Sequence, residues 1–114
     1  MQIHEIKQDG VVILAIDDHL DTAAAPQLEA HLAGLIEAGE RRVVVDCAAL
    51  EYVNSAGLKT FLIAAKKLEL LGGQFVLCTL APGVLMVFET VGFTRIMQIA
   101  VTREDALRSF SGSA

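Results

Sequence analysis

The chain has 114 residues, 54% of them hydrophobic, and 9 basic against 14 acidic side chains give it a net charge of -5. It is long enough to enclose one core and too short for two ordinary domains, so a single domain over residues 1–114 is expected, with about 3–110 ordered and 111–114 a flexible tail. The basic residues are scattered apart from Arg41-Arg42 and Lys66-Lys67, which argues against nucleic acid as a partner; no apolar run approaches the ~20 residues of a membrane span, which argues against direct insertion.

The opening "MQIHEIKQDG" lacks the charged and apolar regions of a signal peptide, so the cytoplasm is the expected compartment. Ile3 to Ile6 and Val11 to Ile16 are apolar and β-branched and flank Asp9-Gly10, a common hairpin turn signal. From Ala23 onward Leu28, Leu32, Leu35 and Ile36 fall at helical spacing until Gly39 supplies a stop. Arg42 to Asp46, "RVVVD", is apolar on both faces, as a central strand would be. A second helix starts near Ala56, with Leu58, Phe61, Leu62, Ala65 and Leu68 on one face before Gly72-Gly73; Glu69 falls inside that apolar arc.

Phe75 to Cys78 makes another strand. Pro82 opens a third helix whose buried face is Val84, Val87, Phe88 and Val91. Met97 to Val101 is a last short strand, and "TREDALRSF" reads as a short helix capped by Thr102. The order ββαβαβαβα makes this an α/β fold. Its single mixed sheet, an N-terminal hairpin followed by parallel strands joined through helices, is packed with about four helices.

Cys47 and Cys78 are too far apart for a zinc motif or a redox C-x-x-C, and read as reduced core residues. His4, His19 and His31 form no ligand spacing, so neither metal nor cofactor is expected. The chemistry concentrates at "YVNSAGL". Ser55 stands between a strand and a helix, where the first backbone N–H groups lack intrahelical partners and the peptide dipoles leave partial positive charge. A serine there can cap the helix. The same geometry tolerates a phosphate on the hydroxyl, about -1.5 to -2 charges that a docking partner would have to desolvate or match. A nucleophilic role lacks its elbow, since valine rather than glycine stands two residues before the serine, and there is no phosphate-cradling G-x-x-x-x-G-K-[ST] loop. On the third helix Met86 lies opposite the buried face with Leu85 at its edge. Ile63 on the second is also off its apolar arc, so the two helices are expected to share an apolar docking patch for a partner or a second copy of the chain.

"HLDTAAAPQL", "VVVDCAALEYVNSAGLKTF" and "GGQFVLCTLAPGVLMVFETVGF" together resemble the STAS domain, the family of bacterial anti-sigma factor antagonists and of the cytoplasmic domains of sulfate transporters. The match runs from about Ile3 to Phe110. In the antagonist branch the central motif is usually Asp-Ser-Ser/Thr-Gly-Leu. Its first serine, here Ser55, is phosphorylated by a serine kinase of histidine-kinase-like ATPase fold that doubles as the anti-sigma factor. The resemblance implies a non-enzymatic switch: unmodified antagonist holds the kinase, the phosphorylated form lets go, and a PP2C-type phosphatase resets it. It places Asp21, Asn54, Ser55, Ala56, Gly57 and Lys59 on or near the contact face; the helical spacing, independently of the resemblance, adds Ile63, Leu85 and Met86 as partner-binding residues, with a weak homodimer as a further expectation. Asn54 replaces the usual aspartate, keeping its shape without its charge. Ala24 stands where a threonine cap is frequent, with Thr22 able to substitute. Stand-alone members also serve lipid-transporting ABC systems, docking on the ATPase without phosphorylation, and Asn54 with the Leu85-Met86 pair points toward that alternative.

Overall fold

The computed structural model describes residues 1–111. In chain order the elements are β1 (Ile3–Gln8), β2 (Val11–Leu20), α1 (Ala25–Glu37), β3 (Arg42–Val53), α2 (Ser55–Leu70), β4 (Gln74–Cys78), α3 (Pro82–Thr90), a 3-10 turn at Phe93–Arg95, β5 (Gln98–Ala100) and α4 (Arg103–Ser111). The five strands lie in the order β1-β2-β3-β4-β5, the first pair antiparallel and the rest parallel. This is the mixed sheet and element order expected from the sequence. Asp9 and Gly10 both adopt positive φ, 54° and 80°, as a tight hairpin turn matched to strand twist requires.

Because side chains alternate along a strand, the sheet divides its apolar residues between two faces. Val12, Leu14 and Ile16 of β2, Val43, Val45 and Cys47 of β3, and Phe75 and Leu77 of β4 pack against α1, α2 and α3. Phe61 sits at the centre of that layer, its ring 6.3 Å from Phe75 and 6.0 Å from Phe88. Val11, Ile13, Val44, Val76 and Cys78 face the other way, toward Ala106 and Phe110 of α4. Thr102 starts α4 by accepting the Asp105 N–H at 3.0 Å, as its cap role predicts. Arg103 then ties the helix to the sheet by donating Nε to the nearly buried Asp46 carboxylate at 2.8 Å, while the other Asp46 oxygen accepts the Ala48 N–H.

Several boundaries differ from those expected. Helix α1 begins at Ala25 rather than Ala23, because Asp21 Oδ1 accepts the N–H groups of both Ala23 and Ala24 and holds them in the preceding turn. Thr22 does not cap this helix; its hydroxyl meets Asn54 instead. On α2 the buried face is Gly57, Leu58, Thr60, Phe61, Ala64 and Leu68, so Leu62 and Ala65 are only half-buried and Glu69 points to solvent. Thr60 is accommodated inside because its hydroxyl donates to the Ala56 carbonyl at 3.1 Å. Val91 is 51% exposed rather than buried, since α3 ends at Thr90 and the chain reverses through Gly92 at φ 80°. Strand β5 is confined to Gln98–Ala100, leaving Val101 exposed. Of the tail expected over 111–114, Ser111 is instead the last residue of α4, and the remainder lies outside the described residues. Among the described residues no helix is long and apolar enough to cross a membrane.

Cys47 and Cys78 are free and buried, and they face opposite sides of the sheet. Burial raises both thiols above their usual range. At Cys47 the nearby Cys78 and Asp46 add to the rise, and at Cys78 a hydrogen bond with Thr79 opposes it. Both thiols are therefore expected to resist a disulfide reagent at pH 8 in the folded protein and to react at once in denaturant. In the unfolded chain they ionise first, so stability falls as pH climbs past the ordinary thiol range. A native protein that reacts as fast as the unfolded one would contradict this burial.

Candidate functional site at the start of helix α2

Parallel pairing of β2 and β3 brings Leu20 beside Val53, and the Asn54 N–H donates to the Leu20 carbonyl at 3.3 Å. The pairing is longer than Arg42 to Asp46 and passes two register shifts, between Ala15 and Asp17 and between Asp18 and His19. At the strand end Asn54 takes extended backbone and becomes the N-cap of α2. Its Oδ1 accepts the N–H groups of Ala56 at 3.1 Å and Gly57 at 3.4 Å, and its amide reaches the Thr22 hydroxyl at 3.5 Å. The cap is thus asparagine, not Ser55. Ser55 is the first residue of the helix, exposed, and its hydroxyl makes no hydrogen bond among the described residues.

Gly57 fixes where this helix end rests. A Cβ built there would lie 2.6 Å from the Leu20 carbonyl oxygen, 2.7 Å from Leu20 Cγ and 2.8 Å from Val53 Cγ2. Gly57, expected on the contact face, is buried and sets the height of Ser55 above the sheet. Ala56 is half-buried and Lys59 exposed. Together with Thr22, Pro26, Glu29 and Ile63 they line a hollow of about 240 Å³ between α1 and α2. Asp21 stands half-buried beside this region, occupied with the α1 turn.

Leu85 and Met86 lie elsewhere. Leu85 lines a second hollow of about 420 Å³ with Leu80, Met97, Ile99 and Val101, while Met86 is 64% exposed. Ile63 belongs to the α1–α2 hollow, so the joint apolar patch expected of these three residues is divided between two places. Asp18, His19 and Glu51, which sequence spacing did not group, bring ligand-type atoms within 4.8 Å of one another near the C-terminal end of the β2–β3 pair, the end that leads into Asn54. All three are exposed, and His19 already contacts Asp18 at 3.0 Å and stands edge-on to Tyr52.

Removing the cap with Asn54→Ala is expected to cost about 1 kcal/mol, read as a lower urea midpoint. Asn54→Asp keeps both backbone bonds and adds an anion at the positive helix end, so its midpoint will match or exceed the parent's. Equal losses in the two variants would show that the side chain does something other than cap.

The STAS domain profile matches residues 2–106. The chain belongs to the STAS domain family. BtrV of Bordetella bronchiseptica, described as an anti-sigma factor antagonist, is 44% identical to this STAS domain over 110 residues, covering 96% of this chain and 95% of the relative. A Thermotoga maritima structure described as an anti-sigma factor antagonist superposes with a TM-score of 0.90 at 21% identity, covering 94% and 92% of the two chains. The Bacillus cell fate determinant SpoIIAA, solved in its phosphorylated form, superposes with a TM-score of 0.73 at 22% identity over 96% and 99%. The two structures share the fold of this STAS domain.

Proposed function

We propose that this STAS domain is a cytoplasmic anti-sigma factor antagonist, a non-enzymatic binding protein that sequesters a serine-kinase anti-sigma factor and is switched off by phosphorylation of Ser55. One observation carries the reading: Asn54 holds the backbone N–H groups at the start of α2, which leaves the adjacent Ser55 hydroxyl exposed and without structural duty. A phosphate there changes the surface and leaves the cap in place. The 44% identical antagonist from Bordetella bronchiseptica supports the same assignment.

In the modification the Ser55 oxygen forms a bond to the γ-phosphorus of ATP, the bridging P–O bond breaks to release ADP, and the hydroxyl proton passes to a base of the kinase. The partner is a kinase of histidine-kinase-like ATPase fold, and a PP2C-type phosphatase hydrolyses the phosphoserine. The docking face runs from the Asp21 turn across Asn54, Ser55 and Ala56 to Lys59 and Ile63. The test is to incubate the purified protein with its cognate kinase and ATP and map the product by mass spectrometry. One phosphate on Ser55 is expected, and none on Ser55→Ala. An unmodified parent protein, or an equally modified Ser55→Ala, overturns the assignment.

The exposure of Met86 beside the hollow at Leu85 favours a second reading, an accessory subunit docking on an ABC transporter ATPase. That reading predicts binding to the ATPase that Met86→Glu abolishes and Ser55→Glu leaves unchanged.

A further inference from the structure

A phosphate on Ser55 would find the next three N–H groups of its own helix taken, which leaves it only the single uncharged Ser55 N–H. The N–H groups of Ala56 and Gly57 point to Asn54 Oδ1, and that of Leu58 donates to the Asn54 carbonyl at 3.0 Å. The dianion therefore needs another positive partner. Lys59 follows Ser55 by four residues, the spacing that places two side chains on one strip of helix about 5–6 Å apart at Cβ, and an anion preceding a cation is the favourable order. Lys59 is exposed and has no ion pair or hydrogen bond among the described residues. Two carboxylates lie nearby. Glu29 lines the same hollow from α1 without pairing with the lysine, and Asp21 is engaged with the N–H groups of Ala23 and Ala24.

We infer that Lys59 is the internal counter-ion of phosphorylated Ser55. This rests on the reading of Ser55 as the modified residue. In the unmodified protein the ammonium is free for an acidic group on the docking partner. After modification the phosphate captures it, so one event adds negative charge to the face and withdraws a positive charge from it. Phosphorylation then acts on binding twice.

The test installs phosphoserine at position 55 during synthesis of the full chain, without any kinase, and follows the second phosphate ionisation by ³¹P NMR. Lys59→Ala is expected to raise that pKa by about 0.3 at low salt. Lys59→Arg will restore it, Lys66→Ala will leave it alone, and 1 M salt will close the gap between parent and Lys59→Ala. Identical titration of the parent and Lys59→Ala phosphoproteins overturns the inference. Lys59 is exposed, so both variants keep the fold, checked by circular dichroism. A protein that takes no phosphate from its kinase would instead overturn the assignment of Ser55, which this titration does not depend on.

Discussion

Gly57→Ala will lower the stability of the domain by about 3 kcal/mol, seen as a urea midpoint about 2 M below that of the parent. The added methyl meets a carbonyl oxygen at 2.6 Å, and that oxygen is fixed by the hydrogen bond from the Asn54 N–H. Relief requires the first turn of α2 to lift from Leu20 and Val53, which strains the Asn54 cap and carries Ser55 with it. Gly34→Ala provides the contrast. Its Cβ would meet no atom within 4 Å in the middle of α1, so the same substitution there is expected to stabilise by about 0.5 to 1 kcal/mol. A Gly57→Ala protein as stable as the parent would show that the helix end does not depend on this contact.

The second large effect falls on binding. Phosphorylation of Ser55 is expected to change the unfolding free energy by less than about 0.5 kcal/mol while weakening association with the kinase several-hundred-fold, or about 3 to 4 kcal/mol. The two quantities separate because the hydroxyl is exposed and uncommitted, whereas the cap beside it belongs to Asn54. Calorimetry of the two forms with the kinase, paired with urea unfolding of each, measures both. If stability collapses together with affinity, the modification acts by opening the domain and not by altering its surface.

The regular parts of this fold were legible in the chain. Asp9-Gly10 between β-branched runs specified the hairpin, and Leu28 with Leu32 marked the buried side of α1. The second half of β3 was hidden for a physical reason. From Cys47 to Val53 the buried residues are Cys47, Leu50 and Val53, every third position instead of every second. Register shifts against β2, one beside Asp18 at φ 62°, break the alternation that announces a strand. The buried face of α2 is hard to read from residue type because Thr60 and Ala64 look unremarkable next to Leu62, and only the intrahelical bond of the Thr60 hydroxyl makes burial acceptable. At the candidate site, residue type identified the helix start but not how its work is divided. Asparagine and serine are both good caps, and which one turns inward depends on Leu20 and Thr22, some 32 to 34 positions earlier in the chain.

The sheet's second face depends on α4. During synthesis Val11, Ile13, Val44 and Val76 stay bare until Ala106 and Phe110 have left the ribosome, even though the three-helix side can close earlier. Chains cut short upstream of Arg103 would carry that greasy surface indefinitely, making them natural clients for chaperones and proteases and giving the cell a way to discard incomplete copies before they engage anything.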